Sequence, residues 1–155
     1  MDMESGHAKK AAELFAEGYN CSQAVVGAFA EELGLDLQTA LKMSSPFGGG
    51  MGRMREVCGA VSGMFMAAGL ACGYCDPNDY EKKKELYAQV KALADEFKSS
   101  EGSIICRELL AGTAVKPGTD PERRTEDYYK KRPCPELVAR AAEIAEKFIE
   151  EQKDK

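Results

Sequence analysis

The sequence predicts an all-α fold, arranged as a compact single-domain bundle of about five to seven helices around a central helix rich in glycine and alanine. Apolar residues recur at helical spacing in several segments. No segment alternates convincingly between apolar and polar residues, and the β-branched residues are scattered. The 155 residues suffice for one domain with a real core and are too few for two, so we expect a single domain over residues 1–155.

We predict the first three helices at residues 7–18, 21–33 and 37–43. The first carries an apolar face rich in alanine, and Gly18 suits its C-terminal cap because glycine readily adopts a left-handed conformation. Asn20 and Asp36 precede the second and third helices, where their side-chain oxygens can accept a backbone N–H. Gly34 ends the second helix.

We predict the later helices at residues 56–73, 80–98, 104–111 and 135–152. The first of these is apolar and dense in small residues, which make a poor isolated helix, so we expect it to be packed inside the bundle. The second is amphipathic, with Leu93 and Phe97 on its apolar face, and residues 99–102 break it. Pro135 suits the first turn of the last helix. Residues 122–131 are charged and fit either a short helix or an exposed segment.

The formal net charge of −5 argues against general binding to nucleic acid, which needs a basic surface, but it is compatible with a local basic patch. The first residues are acidic and lack the basic and apolar regions of a secretory signal. No apolar stretch reaches the ~18 residues of a membrane-spanning helix. We therefore expect a cytoplasmic protein whose partners include neither nucleic acid nor a membrane.

Six cysteines are spread along the chain: Cys21, Cys58, Cys72, Cys75, Cys106 and Cys134. In a reducing compartment, cysteine thiols stay free of disulfide bonds and are available for metal binding or redox chemistry. The alternative to such a chemical role is that the cysteines only pack in the core as small apolar residues. Cys21, Cys58 and Cys134 lie near predicted helix N-termini, where the helix dipole stabilises a thiolate. Cys106 is expected in the middle of its helix.

Cys72 and Cys75 form a CxxC sequence. Such a pair can be redox-active or can supply half of a zinc or iron–sulfur site. Neither a βαβ pattern nor a second CxxC accompanies it, so the pair is a weak candidate for metal binding.

A glycine-dense loop at residues 47–54 precedes the central helix. Its Gly49, Gly50 and Gly52, together with the charge of Arg53, could bind an anion or an anionic cofactor at a helix N-terminus. The loop matches neither the Walker pattern nor the dinucleotide-binding fingerprint. The alternative is a tight turn that lets backbone segments pass close to one another.

His7 is the only histidine, which excludes a multi-histidine metal site and a Ser-His-Asp hydrolase within one chain. We expect it at the surface of the first helix. The charged runs at residues 81–85 and 123–127 are interpreted as solvated faces.

Three blocks carry a family resemblance: GYNCSQA around Cys21, FGGGMGR in the glycine loop, and CGAVSG beginning at Cys58. With Cys106 and Cys134 they resemble the C_GCAxxG_C_C family of redox-active proteins, over roughly residues 8–148. Val57 precedes Cys58, so this chain reads CGAxxG where the family name has GCAxxG. The resemblance implies a small protein with four characteristic cysteines: Cys21, Cys58, Cys106 and Cys134. The other two cysteines lie outside that set.

The leading hypothesis is a redox or electron-transfer role for these four thiols. They could hold an iron–sulfur cluster or another soft metal, or form two reversible disulfides without any cofactor, exchanging electrons with an unidentified redox partner. One alternative is a non-catalytic zinc or copper module, and another is an interaction protein whose cysteines only pack. A homodimer is compatible with the small and apolar residues if one such face is exposed.

Overall fold

The computed structural model describes residues 5–111, 121 and 123–154, and these form a helical bundle. Its helices are α1 (Gly6–Ala16), α2 (Cys21–Phe29), α3 (Leu37–Ser44), α4 (Gly59–Cys72), α5 (Tyr80–Glu101), α6 (Cys106–Leu109), α7 (Glu126–Lys131) and α8 (Cys134–Lys153). Six of these have eight or more residues. The extended pairing in this part of the chain is one antiparallel bridge between Val57 and Ile105. The predicted all-α fold is confirmed.

Helix α4 lies at the centre of the bundle. It packs against α2, α5 and α8, while α1 packs against α2 and α8. Its approach to α2 depends on Gly63, where an added Cβ would lie 2.9 Å from the Cβ of Val25 and 3.0 Å from the carbonyl oxygen of Ser22. Val61 and Met64 are fully buried and fill the adjacent core. The glycine- and alanine-rich helix therefore occupies the central position that the sequence predicts.

The predicted start of α4 at residue 56 is wrong, because the helix begins at Gly59. The preceding residues are extended and bond to the segment before α6. The N–H of Cys58 donates to the carbonyl oxygen of Ile104 at 2.8 Å, and the N–H of Cys106 donates to that of Glu56 at 2.5 Å. These long-range bonds hold residues 56–58 outside the helix.

Two other predicted helix ends differ from the structure. Helix α2 stops before residue 33, because the N–H of Leu35 donates to the carbonyl oxygen of Ala30 at 2.9 Å and Gly34 takes a φ of 89°. Helix α5 continues past residue 98 and ends where Gly102 takes a φ of 92°. Glycine occupies this left-handed region without the steric cost of a Cβ, so it turns the chain at both places.

The expectation that His7 lies at the surface is wrong, since its side chain is only 20% exposed. The imidazole stacks on Phe29, with ring centres 4.2 Å apart. Its Nδ1 and Nε2 contact carboxylate oxygens of Glu146 and Glu32, each at 2.5 Å. Burial opposes protonation of the ring, but the two carboxylates outweigh it and raise the pKa of His7. The residue thus joins α1 to α8 and to the turn after α2.

Within the described residues, no helix combines the length and the apolar character that crossing a bilayer requires.

Candidate functional site

Four cysteines lie at the beginnings of four helices. Cys21, Cys106 and Cys134 are the first residues of α2, α6 and α8, and Cys58 is the N-cap of α4. The expected mid-helix position of Cys106 is wrong, because α6 begins at this residue. Backbone hydrogen bonds between residues 55–58 and 104–107 keep the residues before Cys106 outside the helix. The free N–H groups at the N-terminus of a long helix favour a thiolate, and α8 has 20 residues.

The same four cysteines line one cavity of about 290 Å³. Its walls come from the glycine loop, the starts of four helices and the segment between Arg124 and Arg132. Cys72 and Cys75 do not line it: Cys72 ends α4 and Cys75 is exposed in the loop that follows. All six cysteines are free thiols in this structure. The fold therefore gathers the four thiols singled out by sequence and leaves the other two apart.

Cys21 and Cys134 both line this cavity, where a hydrogen bond between their thiols links their pKa values. That bond lowers the pKa of Cys134 to about 7; burial opposes the shift, and the charges of Arg132 and Arg124 add to it. The same bond, together with burial, raises the pKa of Cys21 well above its ordinary value. The pair therefore favours one thiolate, on Cys134, with the Cys21 thiol as its hydrogen-bond donor.

The other two thiols of the cavity favour the neutral form. Burial raises the pKa of Cys58 to about 12, although backbone N–H groups at the start of α4 oppose the shift. Burial also raises the pKa of Cys106, against the opposing effect of Arg55, whose Nη1 lies 3.6 Å from the Cys106 sulfur. At neutral pH the four thiols therefore differ chemically, because only Cys134 has a lowered pKa.

Four arginines line the cavity with the thiols: Arg53, Arg55, Arg124 and Arg132. The interpretation of Arg124 as part of a solvated face is wrong. Its guanidinium carbon lies 4.2 Å from the ring centre of Phe15, and its nitrogens donate to the carbonyl oxygens of Phe15 and Tyr19 at 3.0 and 2.9 Å. These contacts hold a positive charge against the end of α1, facing the thiol pair.

Tyr128 connects two of these arginines. The guanidinium carbons of Arg124 and Arg132 each lie 4.8 Å from its ring centre, within the range of a cation–π contact. Burial raises the pKa of Tyr128 to about 12, so its hydroxyl keeps its proton at neutral pH. The aromatic ring thus helps to position the positive charges that favour the Cys134 thiolate.

The glycine loop forms part of the cavity wall. Gly49, Gly52 and Arg53 line the cavity, whereas Gly50 is buried beneath Cys106, where an added Cβ would lie 2.6 Å from the Cys106 Cβ. The three glycines have φ values of 75°, 68° and 54° in chain order, which glycine adopts readily. The loop is thus a tight turn that brings backbone close to a thiol. Its predicted role in anion binding stays a prediction.

The four cavity thiols can be compared with the ligands that a protein metal site needs. Structural zinc sites and iron–sulfur clusters generally take four protein ligands. In the described part of the chain, no three His, Cys, Asp or Glu side chains are arranged to hold a metal ion. The four cavity thiols come from the starts of four different helices and do not form such a group. The predicted iron–sulfur cluster or other thiolate-bound metal stays a prediction.

The family model described as "Putative redox-active protein (C_GCAxxG_C_C)" matches residues 19–148. The chain belongs to this family. It is also similar to an uncharacterized protein of Archaeoglobus fulgidus, with 28% identity over 152 residues that cover 94% of each chain. Comparison with solved structures finds no significant match.

Sequence reasoning missed three cavity residues of this C_GCAxxG_C_C protein: Arg124, Tyr128 and Arg132. Arg132 lies two positions before Cys134, and this proximity to a helix-start cysteine was a usable signal. Arg124 and Tyr128 gave no such signal, because a charged and aromatic segment is equally typical of a solvated helix. Their role depends on how the segment before α8 folds back against α1.

Proposed function

We propose that this C_GCAxxG_C_C protein is a dithiol redox protein in which Cys134 is the attacking thiolate and Cys21 the resolving thiol. The observation that carries the proposal is that Cys21 and Cys134 begin α2 and α8 and line the same cavity. The interaction between their thiols lowers the pKa of Cys134 and raises that of Cys21. Thiol–disulfide exchange needs a thiolate near neutral pH and a second thiol within reach, and this pair supplies both.

The chemistry is a two-electron exchange. The Cys134 thiolate attacks one sulfur of an oxidised disulfide, forms a mixed disulfide and displaces the other sulfur as a thiolate. The displaced thiolate takes the proton of Cys21, whose sulfur then attacks the Cys134 sulfur of the mixed disulfide. The second half of the substrate leaves as a thiolate and takes a proton from water. The substrate disulfide is reduced to two thiols, and Cys21 and Cys134 become an intramolecular disulfide. A dithiol reductant, acting as redox partner, restores the reduced pair.

In this proposal Cys58 and Cys106 remain neutral thiols during the first oxidation, because burial disfavours their ionisation. Both are buried and line the same cavity as the reacting pair. A reducing compartment would regenerate the dithiol, so we place the protein in the cytoplasm.

Disulfide mapping tests the proposal. The reduced full-length protein is treated with one equivalent of diamide, free thiols are blocked with iodoacetamide, and disulfide-linked peptides are identified by mass spectrometry. We expect a peptide pair joining Cys21 to Cys134. Cys134→Ser should abolish this linkage, and Cys75→Ser, the matched change at an exposed cysteine outside the cavity, should leave it intact.

Two results would contradict the proposal. One is first oxidation at Cys58 and Cys106 while Cys21 and Cys134 stay reduced. The other is stoichiometric zinc, copper or iron bound by the anaerobically prepared protein and lost in the Cys21→Ser and Cys134→Ser variants. The second result would favour the metal-binding alternative, in which the thiolates act as ligands.

A further inference from the structure

The cavity differs in charge from the chain as a whole. The protein carries a formal net charge of −5, yet four arginines line the cavity and its described lining includes no aspartate or glutamate. The known partners of two of these arginines are neutral: Arg124 donates to backbone carbonyls, and Arg55 donates to the Cys106 sulfur. Within the described lining, positively charged side chains therefore lie beside the thiols that a substrate would meet.

Access to the attacking sulfur is restricted. Cys134 is 6% exposed and Arg132 is 9% exposed. The cavity of about 290 Å³ reaches the surface at the exposed residues Gly52 and Pro121. Its volume is close to the lower end of the range for small-molecule sites, roughly 300–1,000 Å³. A small molecule can enter this space, whereas a disulfide held on a folded protein surface would not reach a sulfur so deeply placed.

Arginine is the side chain best suited to bind a carboxylate, because its planar guanidinium can donate two parallel hydrogen bonds. The four arginines come from two segments of the chain: Arg53 and Arg55 lie in or directly after the glycine loop, and Arg124 and Arg132 lie before α8. A short carboxylate-bearing chain could contact arginines of both segments while its sulfur met Cys134. The glycine-loop region and the segment before α8 thus contribute arginines to one site.

Resting on the proposed dithiol function, we propose that the cavity selects low-molecular-weight disulfides whose arms carry carboxylates. The arginines bind and orient the carboxylates, and the disulfide bond of the substrate is placed against Cys134. The electrons move as in the exchange described above, so one such disulfide is reduced to two anionic thiols for each Cys21–Cys134 disulfide formed.

The experiment compares three disulfides that share a two-carbon arm and differ in charge: 3,3′-dithiodipropionate, bis(2-hydroxyethyl) disulfide and cystamine. Each is mixed in excess with the reduced full-length protein at pH 7.5 and low salt, and formation of the Cys21–Cys134 disulfide is followed by acid quench and mass spectrometry. Each rate is divided by the rate of the same probe with free cysteine, which removes differences in intrinsic reactivity. We expect the normalised rate of the carboxylate probe to exceed that of the hydroxyl probe by about tenfold or more, since a charge-assisted bond is worth at least that factor.

Variants test which arginines cause the preference for the carboxylate probe. Arg53→Gln and Arg55→Gln, singly and together, should reduce the carboxylate-to-hydroxyl ratio, with the double variant approaching equal rates. Taking the ratio within each variant cancels any change in the nucleophile. Arg140→Gln is the matched control: this arginine pairs with Glu101 and Glu143 and does not line the cavity, so its ratio should equal that of the wild type.

The outcomes separate the two proposals. Equal normalised rates for all three probes, or a preference for cystamine, would overturn the inference while leaving the dithiol function intact, provided that the Cys21–Cys134 disulfide forms. If no probe produces that disulfide, the proposed function fails first and the inference with it. A carboxylate preference that persists in the double variant would show that the glycine-loop arginines do not supply it and would overturn their assignment.

Discussion

At the scale of single residues, the same side chain has different chemistry at different places in one cavity. Cys58 and Cys134 are both buried, yet burial raises the pKa of Cys58 to about 12, while a hydrogen bond from Cys21 brings that of Cys134 to about 7. Arg132 and Arg124 act in the same direction as that bond. Local hydrogen bonds and charges therefore outweigh burial at one sulfur and not at the other.

The first prediction concerns the pH dependence of alkylation. The thiolate is the reactive form, so the reaction of Cys134 with iodoacetamide should rise with pH and reach half of its maximum near pH 7. Arg132→Gln removes a positive charge that favours the thiolate, so it should raise this midpoint by about one pH unit. The measurement is quantitative mass spectrometry of the peptide containing Cys134 after timed alkylation.

Arg140→Gln again serves as the control and should leave the midpoint where it is. A wild-type midpoint near 8.5, the ordinary value for a free cysteine, would show that neither the hydrogen bond nor the arginines stabilise the thiolate.

At the scale of elements, α4 shows how small residues place a site. Its glycines disfavour an isolated helix, but Gly63 lets α4 contact α2 closely enough to bring the starts of both helices to one cavity. Gly59, just after Cys58, is similarly tight: an added Cβ would lie 3.2 Å from the Cβ of Cys21. Close packing of these two helices thus also sets the spacing of two thiols.

The second prediction compares two glycines of α4. Gly63→Ala should lower the free energy of unfolding by about 1–3 kcal/mol, because the new methyl group would overlap Val25 and the backbone of Ser22. Gly69→Ala should raise it by about 0.5–1 kcal/mol, because alanine is the better helix former and, among the described residues, no atom beyond the neighbouring residues and backbone of its own helix lies within 4 Å of the added Cβ. Urea unfolding followed by circular dichroism measures both changes.

The two variants control for each other, since they make the same change in the same helix. Equal effects on stability would mean that helix propensity dominates and that the contact between α4 and α2 is looser than the structure shows.

Sequence patterns predicted the long helices of this fold but not all of their ends. Apolar periodicity located the long helices, and caps such as Asn20 and Asp36 accept backbone N–H bonds as expected. The start of α4 and the start of α6 could not be found in this way. Both depend on hydrogen bonds between residues 55–58 and 104–107, whose partners lie far apart in sequence.

At the scale of the whole molecule, the topology joins the beginning and the end of the chain. Helix α1 packs on α8, and the first residue of α2 meets the first residue of α8. A disulfide between Cys21 and Cys134 would therefore close a loop containing most of the chain. Cross-links of this kind act mainly by restricting the unfolded state, and they do so more strongly for longer loops.

The third prediction is that oxidation stabilises the protein. Closing a loop of about 110 residues should raise the free energy of unfolding by up to about 4–5 kcal/mol in the chain-entropy treatment, less any strain in the folded state. The urea midpoint of the diamide-oxidised protein should exceed that of the reduced protein. Cys134→Ser, treated identically, should show no such increase, and an unchanged or lower midpoint for oxidised wild type would contradict the prediction.

The sequence by itself determined the all-α class, the long amphipathic helices and the central small-residue helix, while the family resemblance of its motifs singled out four of the six cysteines. These follow from local periodicity and from motifs, which neighbouring residues in the chain are enough to specify. Only the tertiary structure decided that the four thiols line one cavity, that Cys106 begins a helix, and that four arginines line the same cavity. Hydrogen bonds and electrostatic interactions depend on distances between residues remote in sequence, and those distances exist only once the helices have packed.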